Sequence, residues 1–213
     1  MKPIYLFCFL ILPALLSAQD EPAEKSKSFN IGIVPQYAFI NGTRLDFDFR
    51  LNNKGHWLVV APQFYINNDG SLNWNWDYNR MSGTGIDLQH RFYFKSHSSP
   101  LGPYIAYGPV FQYFSIKEDA WAPDHYTENG SQYFELKEQE ITTNMFKFGG
   151  NLNMGIQMIA LDQIYVDCYV GTGFRLSYNN RDKGLSKRFD SWWSSMGYSG
   201  SILNLGVRLG LTF

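Results

Sequence analysis

Arg44, Asp46, Asp48 and Arg50 take every second position of the stretch GTRLDFDFRL, and Leu45, Phe47, Phe49 and Leu51 fill the positions between them. Charges two residues apart share one face of a β-strand. Alternate positions of later stretches put Asp87, Arg91, Lys147, Asp167, Arg175 and Arg208 on the same kind of face. Crowded together, six basic and four acidic groups support two chemistries. One is a salt-bridged plug. The other is a selectivity filter or proton path. Either way the charges must pair or keep water, because desolvating each alone is expensive.

Nucleophilic and metal chemistry find less support. His56, His90, His97 and His125 are scattered. His97-Ser98-Ser99 falls in a short turn, and His125 beside Asp124, with Ser131 nearby, lacks triad spacing. Cys168 stands alone once Cys8 leaves with an export signal, so no intrachain disulfide forms. There is no metal-ligand spacing, phosphate-cradling glycine loop, nucleotide fingerprint or helix–turn–helix. A formal net charge of −1 argues against general nucleic-acid binding. The expectation is therefore no catalytic residue, metal or cofactor. Trp74, Trp76, Trp121, Trp192 and Trp193 lie in connecting segments, where they stack on sugars or anchor at a membrane interface.

The elements that must position these groups are strands. MKPIYLFCFLILPALLSAQD has a basic Lys2, an apolar run too short to span a bilayer, and a small-residue cleavage site, so 1–19 reads as a cleaved signal peptide. Residues 20–28 form a polar linker and 29–213 one domain. Eight strand candidates follow: 29–39, 42–51, 56–67, 84–94, 102–116, 143–159, 164–178 and 201–213. Each is long enough to cross a bilayer at about 9–11 residues. The connections after strands two, four and six are short, whereas three of the remaining four (68–82, 117–142 and 179–200) are long. Short turns on one side and long loops on the other is the outer-membrane pattern, with the odd loops outside. Asn41-Gly42 signals a tight hairpin. Pro35, Pro62 and Pro109 fall inside strand candidates, where local bulges are expected to absorb the lost ladder bonds.

Side-chain size assigns the faces. The polar face of the last three strands mixes Gly149, Gly155, Gly171, Gly173, Gly206 and Gly210 with long polar groups, which suits a crowded interior. The opposite face (Phe146, Phe148, Leu152, Met154, then Leu203, Leu205, Val207, Leu209, Leu211 and Phe213) is bulky throughout and belongs in lipid. His90 falls on the lipid face by parity, at the interface or through a register slip. The fold class is all-β: an eight-stranded antiparallel up-and-down transmembrane β-barrel.

The terminal LNLGVRLGLTF resembles the carboxy-terminal assembly signal of Gram-negative outer-membrane barrels, with Phe213 as its last residue. The whole mature chain looks like the small OmpA/OmpX-like barrel superfamily. FNIGIVPQYAF, RLDFDFRL, APQFY, YIAYGPVFQYF and YVGTGFRLSY are similar to outer-membrane barrels of Bacteroidota. The resemblance implies residence in the outer membrane among its lipid and lipopolysaccharide, after insertion by the barrel-assembly machinery. It brings no catalytic residue. The expected function is a non-enzymatic barrel with a salt-bridged lumen and surface-exposed binding loops. A small pore, a subunit of an envelope assembly with an unknown partner, and a lipid-modifying enzyme are the alternatives. Acidic residues dominate 117–142 and basic ones 179–200, so these loops pack together or face divalent ions and lipopolysaccharide phosphates.

Overall fold

The computed structural model describes residues 27–68, 78–94, 100–128, 130–160, 163–182, 185, 189–190 and 195–213. The signal peptide and most of the linker, together with Trp74, Trp76, Trp192 and Trp193, lie outside the described residues. Alternating side chains generate eight strands: β1 (Phe29–Ile33), β2 (Gly42–Arg50), β3 (His56–Asn67), β4 (Arg80–Tyr93), β5 (Gly102–Glu128), β6 (Ser131–Ala160), β7 (Ile164–Arg181) and β8 (Gly200–Thr212). Each pairs antiparallel with its sequence neighbour, and β1 pairs with β8, which closes an up-and-down barrel. Among the described residues no helix is long and apolar enough to cross a membrane.

The register fixes the geometry. Following pairs around the wall from Phe29 leads through Phe49, Leu58, His90, Tyr107, Leu152, Thr172 and Leu203. The β8–β1 register then returns to the position of residue 39, ten residues beyond the start. Eight strands with that stagger tilt by about 40° and rise about 2.5 Å per residue along the axis. So narrow a barrel is filled by side chains.

Two strand expectations need correction. The first strand stops at Ile33, where Pro35 opens a 3-10 helix, Pro35–Ile40, that ends on Asn41 in the left-handed conformation (φ 56°). Proline fixes φ and cannot donate to the ladder, so β1 ends before it. The expected loop 117–142 is instead ladder: β5 and β6 pair continuously out to Glu128 and Ser131. Gly130 follows at φ 78°, and in the sequence Asn129-Gly130 carries the same hairpin signal as Asn41-Gly42, although Asn129 lies outside the described residues. This two-stranded ribbon projects from the rim opposite the chain terminus Phe213.

Pro62 and Pro109 do not create bulges. Pairing lapses for two residues between β2 and β3 beside Pro62, and between β4 and β5 beside Pro109, then resumes in the same register. Each proline is still aligned with its other neighbour, at Ile86 and Gly150. His90 involves no slip either; β4 keeps its parity, and His90 points outward, its Nε2 3.0 Å from His56 Nδ1.

The sides of the wall differ as oil and water do. Phe111, Phe146, Phe148, Leu152, Met154, Phe174, Leu205 and Leu209 are exposed outside, whereas Arg44, Asp46, Asp48, Asp87, Arg91, Asp167 and Arg208 are buried inside. Aromatic side chains mark both margins of the apolar band. Phe29, Phe49 and Phe213 associate at the terminal rim, and Tyr113 and Phe146 lie 4.8 Å apart nearer the ribbon.

Candidate functional sites in the lumen and on the ribbon

The lumen is built in layers from alternate strand positions. At the terminal rim Trp57, Tyr93, Tyr104 and Ala106 pack together, with Tyr93 and Tyr104 rings 5.3 Å apart. Above them seven charges form one connected network. Arg44 donates to Asp46 (2.6 Å) and to Asp87 (2.9 Å). Arg91 pairs with Asp48 at 2.9 Å and approaches Asp167 at 3.7 Å. Arg208 lies 3.0 Å from Asp46 and 3.4 Å from both Asp48 and Asp167. Three arginines therefore face four aspartates.

Neutral donors complete the shell. Gln89 (2.7 Å) and Asn151 (3.0 Å) donate to Asp87, Asn30 donates to Asp48, and the Tyr104 hydroxyl donates to Asp167 (2.8 Å). Arg91 also lies beneath the Tyr104 ring, 4.5 Å from its centroid. Each carboxylate of the network is thereby held by at least one guanidinium.

The other three basic candidates are outside that network. Arg50 is half-buried near the terminal rim. Among the described residues Arg175 donates to neutral oxygens: Asn151 Oδ1 (2.8 Å) and the carbonyls of Phe174 (2.9 Å) and Gly150 (3.1 Å). Lys147 is half-buried and, among the described residues, makes no ion pair. Around these two sit Gln63, Tyr65 and Gln112, joined by hydrogen bonds of 2.7–2.9 Å. An apolar layer, Tyr65, Met81, Phe114, Ile116 and Met145 with Tyr78, Phe189 and Met196, closes the ribbon end. Burial there pushes the Tyr78 hydroxyl pKa up, while Asn67 donates to its oxygen at 3.3 Å.

The ribbon has two unlike faces. Trp121, Pro123 and His125 align with Glu138, Leu136 and Phe134 on the face continuous with the outer wall. Trp121 (66%), Phe134 (63%) and Leu136 (60%) are strongly exposed there, and the ribbon carries seven acidic residues against Lys117 and Lys137. At its base Lys117 pairs with Glu140 (2.6 Å) and Arg181 with Glu118 (2.8 Å), while the Thr142 amide donates to Asp182. The acidic segment is thus tied to the start of the basic one at the base. His125 packs on Phe134, 5.6 Å between rings, and Asp124 points to the opposite face. Among the described residues no three His, Cys, Asp or Glu side chains group as metal ligands. The His56–His90 pair and the ribbon's length went unseen in the sequence; Asn129-Gly130 was the available signal for the latter.

No family model matches the chain, and no curated protein matches it. The structure is similar to the crystal structure of Acinetobacter baumannii CarO, with a TM-score of 0.40 and 11% identity, over 88% of this chain and 97% of that one.

Proposed function

We propose that the protein is a non-enzymatic integral outer-membrane barrel that holds a closed, salt-bridged lumen and presents the β5–β6 ribbon as a binding surface outside the cell. The observation that carries this reading is the inversion of polarity: buried ion pairs inside, and a continuous apolar wall between aromatic margins outside. Water does not favour such an exterior, and lipid does. Between its rims the wall stands roughly 30 Å tall at the tilt derived above, the thickness of a hydrocarbon core.

The terminal rim then faces the periplasm and the ribbon faces out. Beyond Lys117 and Thr142 the two strands pair only with each other, so the ribbon adds nothing to the ladder of the wall. Length, acidity and the exposed row Trp121–Leu136–Phe134 mark it as the surface for a partner. Replacing residues 119–139 with a tight turn should leave a folded, heat-modifiable barrel. The same change should abolish whatever co-purifies with the native protein from its membranes. A partner retained after truncation would move the binding surface to the wall or the periplasmic turns and favour the assembly-subunit reading.

A further inference from the structure

The wall is incomplete at one seam. β7 and β8 pair over their full common length, from Ile164–Leu211 to Arg175–Gly200. On its other edge β8 pairs with β1 only from Thr212 to Leu209. One more position is served by a side chain. The Gln36 amide lies 2.9 Å from both the nitrogen and the oxygen of Val207, and with its own nitrogen turned to the carbonyl it donates to that oxygen and accepts from the amide. Past that point the main-chain groups of Leu205, Leu203 and Ser201 that point away from β7 meet no strand among the described residues. The 3-10 helix stands in the wall there, with Val34 buried and Tyr37 reaching inward to Arg44 (3.4 Å). Phe39 and Ile40 face outward.

At the rise derived above, Leu205 to Ser201 stand roughly 20–30 Å from the terminal rim, within the outer-leaflet half of the apolar band. Unpaired backbone at that depth is tolerated only where protein or a water-lined cavity covers it. Phe39 (81%) and Leu205 (69%) are the two most exposed large apolar side chains among the described residues, one on the helix and the other on the β8 edge of the seam. Behind it stand two of the three basic groups outside the ionic network. Arg175 is aligned with Gly200 at the top of β8, and Lys147 sits one strand further on. They lie about 5 and 10 Å from the seam by strand spacing.

We propose that the gap between the 3-10 helix and β8 is a lateral binding site for an anionic amphiphile of the outer leaflet, whose headgroup meets Arg175 and Lys147 while its acyl chain lies along Phe39, Leu203 and Leu205. The juxtaposition selects this class. Apolar side chains flank the outside of the opening, main-chain amides and carbonyls that meet no strand among the described residues line it, and inside stand Arg175 and Lys147, neither of which makes an ion pair among the described residues. A zwitterionic lipid would bring its own cation against Lys147 and gain nothing.

The inference rests on the membrane reading above, and one experiment separates their failures. The folded full-length barrel is placed in phosphatidylcholine nanodiscs carrying a trace of phosphatidylglycerol with a diazirine on its acyl chain, or phosphatidylcholine bearing the same group. Irradiation and peptide mapping then locate the adducts. Adducts of the phosphatidylglycerol probe should concentrate on residues 35–41 and 200–207 over the far wall (residues 105–111 and 148–154), and those of the phosphatidylcholine probe should spread evenly. Lys147→Gln should lower the enrichment by about five-fold, one lipid charge contact, and Lys147→Gln with Arg175→Gln should remove it. The single variant and the wild-type probe comparison suffice if the double variant does not fold. Even labelling of the whole wall by both probes would overturn the seam site while leaving a membrane barrel. A protein that takes no adduct and stays out of the discs would instead overturn the membrane reading.

Discussion

Arg208 touches three carboxylates that come from two other strands, Asp46 and Asp48 on β2 and Asp167 on β7. Removing it leaves four buried aspartates against two arginines, an excess of buried negative charge that costs far more than the pair contributes when intact. Arg208→Leu should therefore destabilise the barrel by about 3–5 kcal/mol, read as a lower urea midpoint for unfolding from vesicles. Arg208→Lys should recover part of that loss, since a point charge satisfies fewer of the three directions than a guanidinium fork. An unchanged midpoint for Arg208→Leu would show the cluster to be open to water. Parity alone places the charged residues on one face, and this much is legible in the sequence. Which charges meet is not. Arg208 and Asp48 are 160 positions apart, and only the ten-residue stagger of the closed sheet brings them level. The same applies to His56 and His90, whose contact depends on a register that periodicity does not reveal.

At the scale of elements, the closing pair is the weakest joint in the wall. β1 contributes four registered pairs to β8, and the end of that joint is held by Phe213. Its amide donates to the Phe29 carbonyl (2.8 Å) and its own carbonyl accepts from the Phe29 amide (3.1 Å). Their rings stack 6.2 Å apart on the lipid side. Deleting Phe213 removes both of these bonds, and the one its carbonyl accepts from the Ser28 amide (2.7 Å), from a short seam, so the yield of folded, heat-modifiable barrel should fall while export is unaffected; an equal yield would leave the terminal resemblance without a role here. The bounds of β2, β3 and β7, by contrast, are legible in the sequence to within three residues, because polar–apolar alternation persists along them. The two misread elements failed for local reasons. Pro35 truncates an otherwise alternating run, and its consequence, a helix in the wall, depends on β8 offering Val207 to Gln36. In the ribbon, charge density read as loop, although Trp121, Pro123 and His125 alternate as a strand does.

For the whole molecule the question is whether a barrel with a polar interior conducts. Three layers stand in series along the axis. Trp57, Tyr93 and Tyr104 pack across the terminal rim, the arginine–aspartate network fills the middle, and Tyr65, Met81, Phe114, Ile116 and Met145 close the ribbon end. An ion entering from either rim meets an apolar layer first. In the middle it then meets three arginines held against four aspartates at 2.6–3.7 Å, a fixed network that fills the lumen. Layers in series also mean that opening one leaves two. Purified protein in planar bilayers should therefore show no steady conductance, and neither should Trp57→Ala or Phe114→Ala. Wild-type channels with stable, ion-selective openings would reverse this conclusion, since they require a continuous water path past Arg91 and Arg208. The lumen charges would then act as a filter, and the small-pore reading would replace the closed barrel.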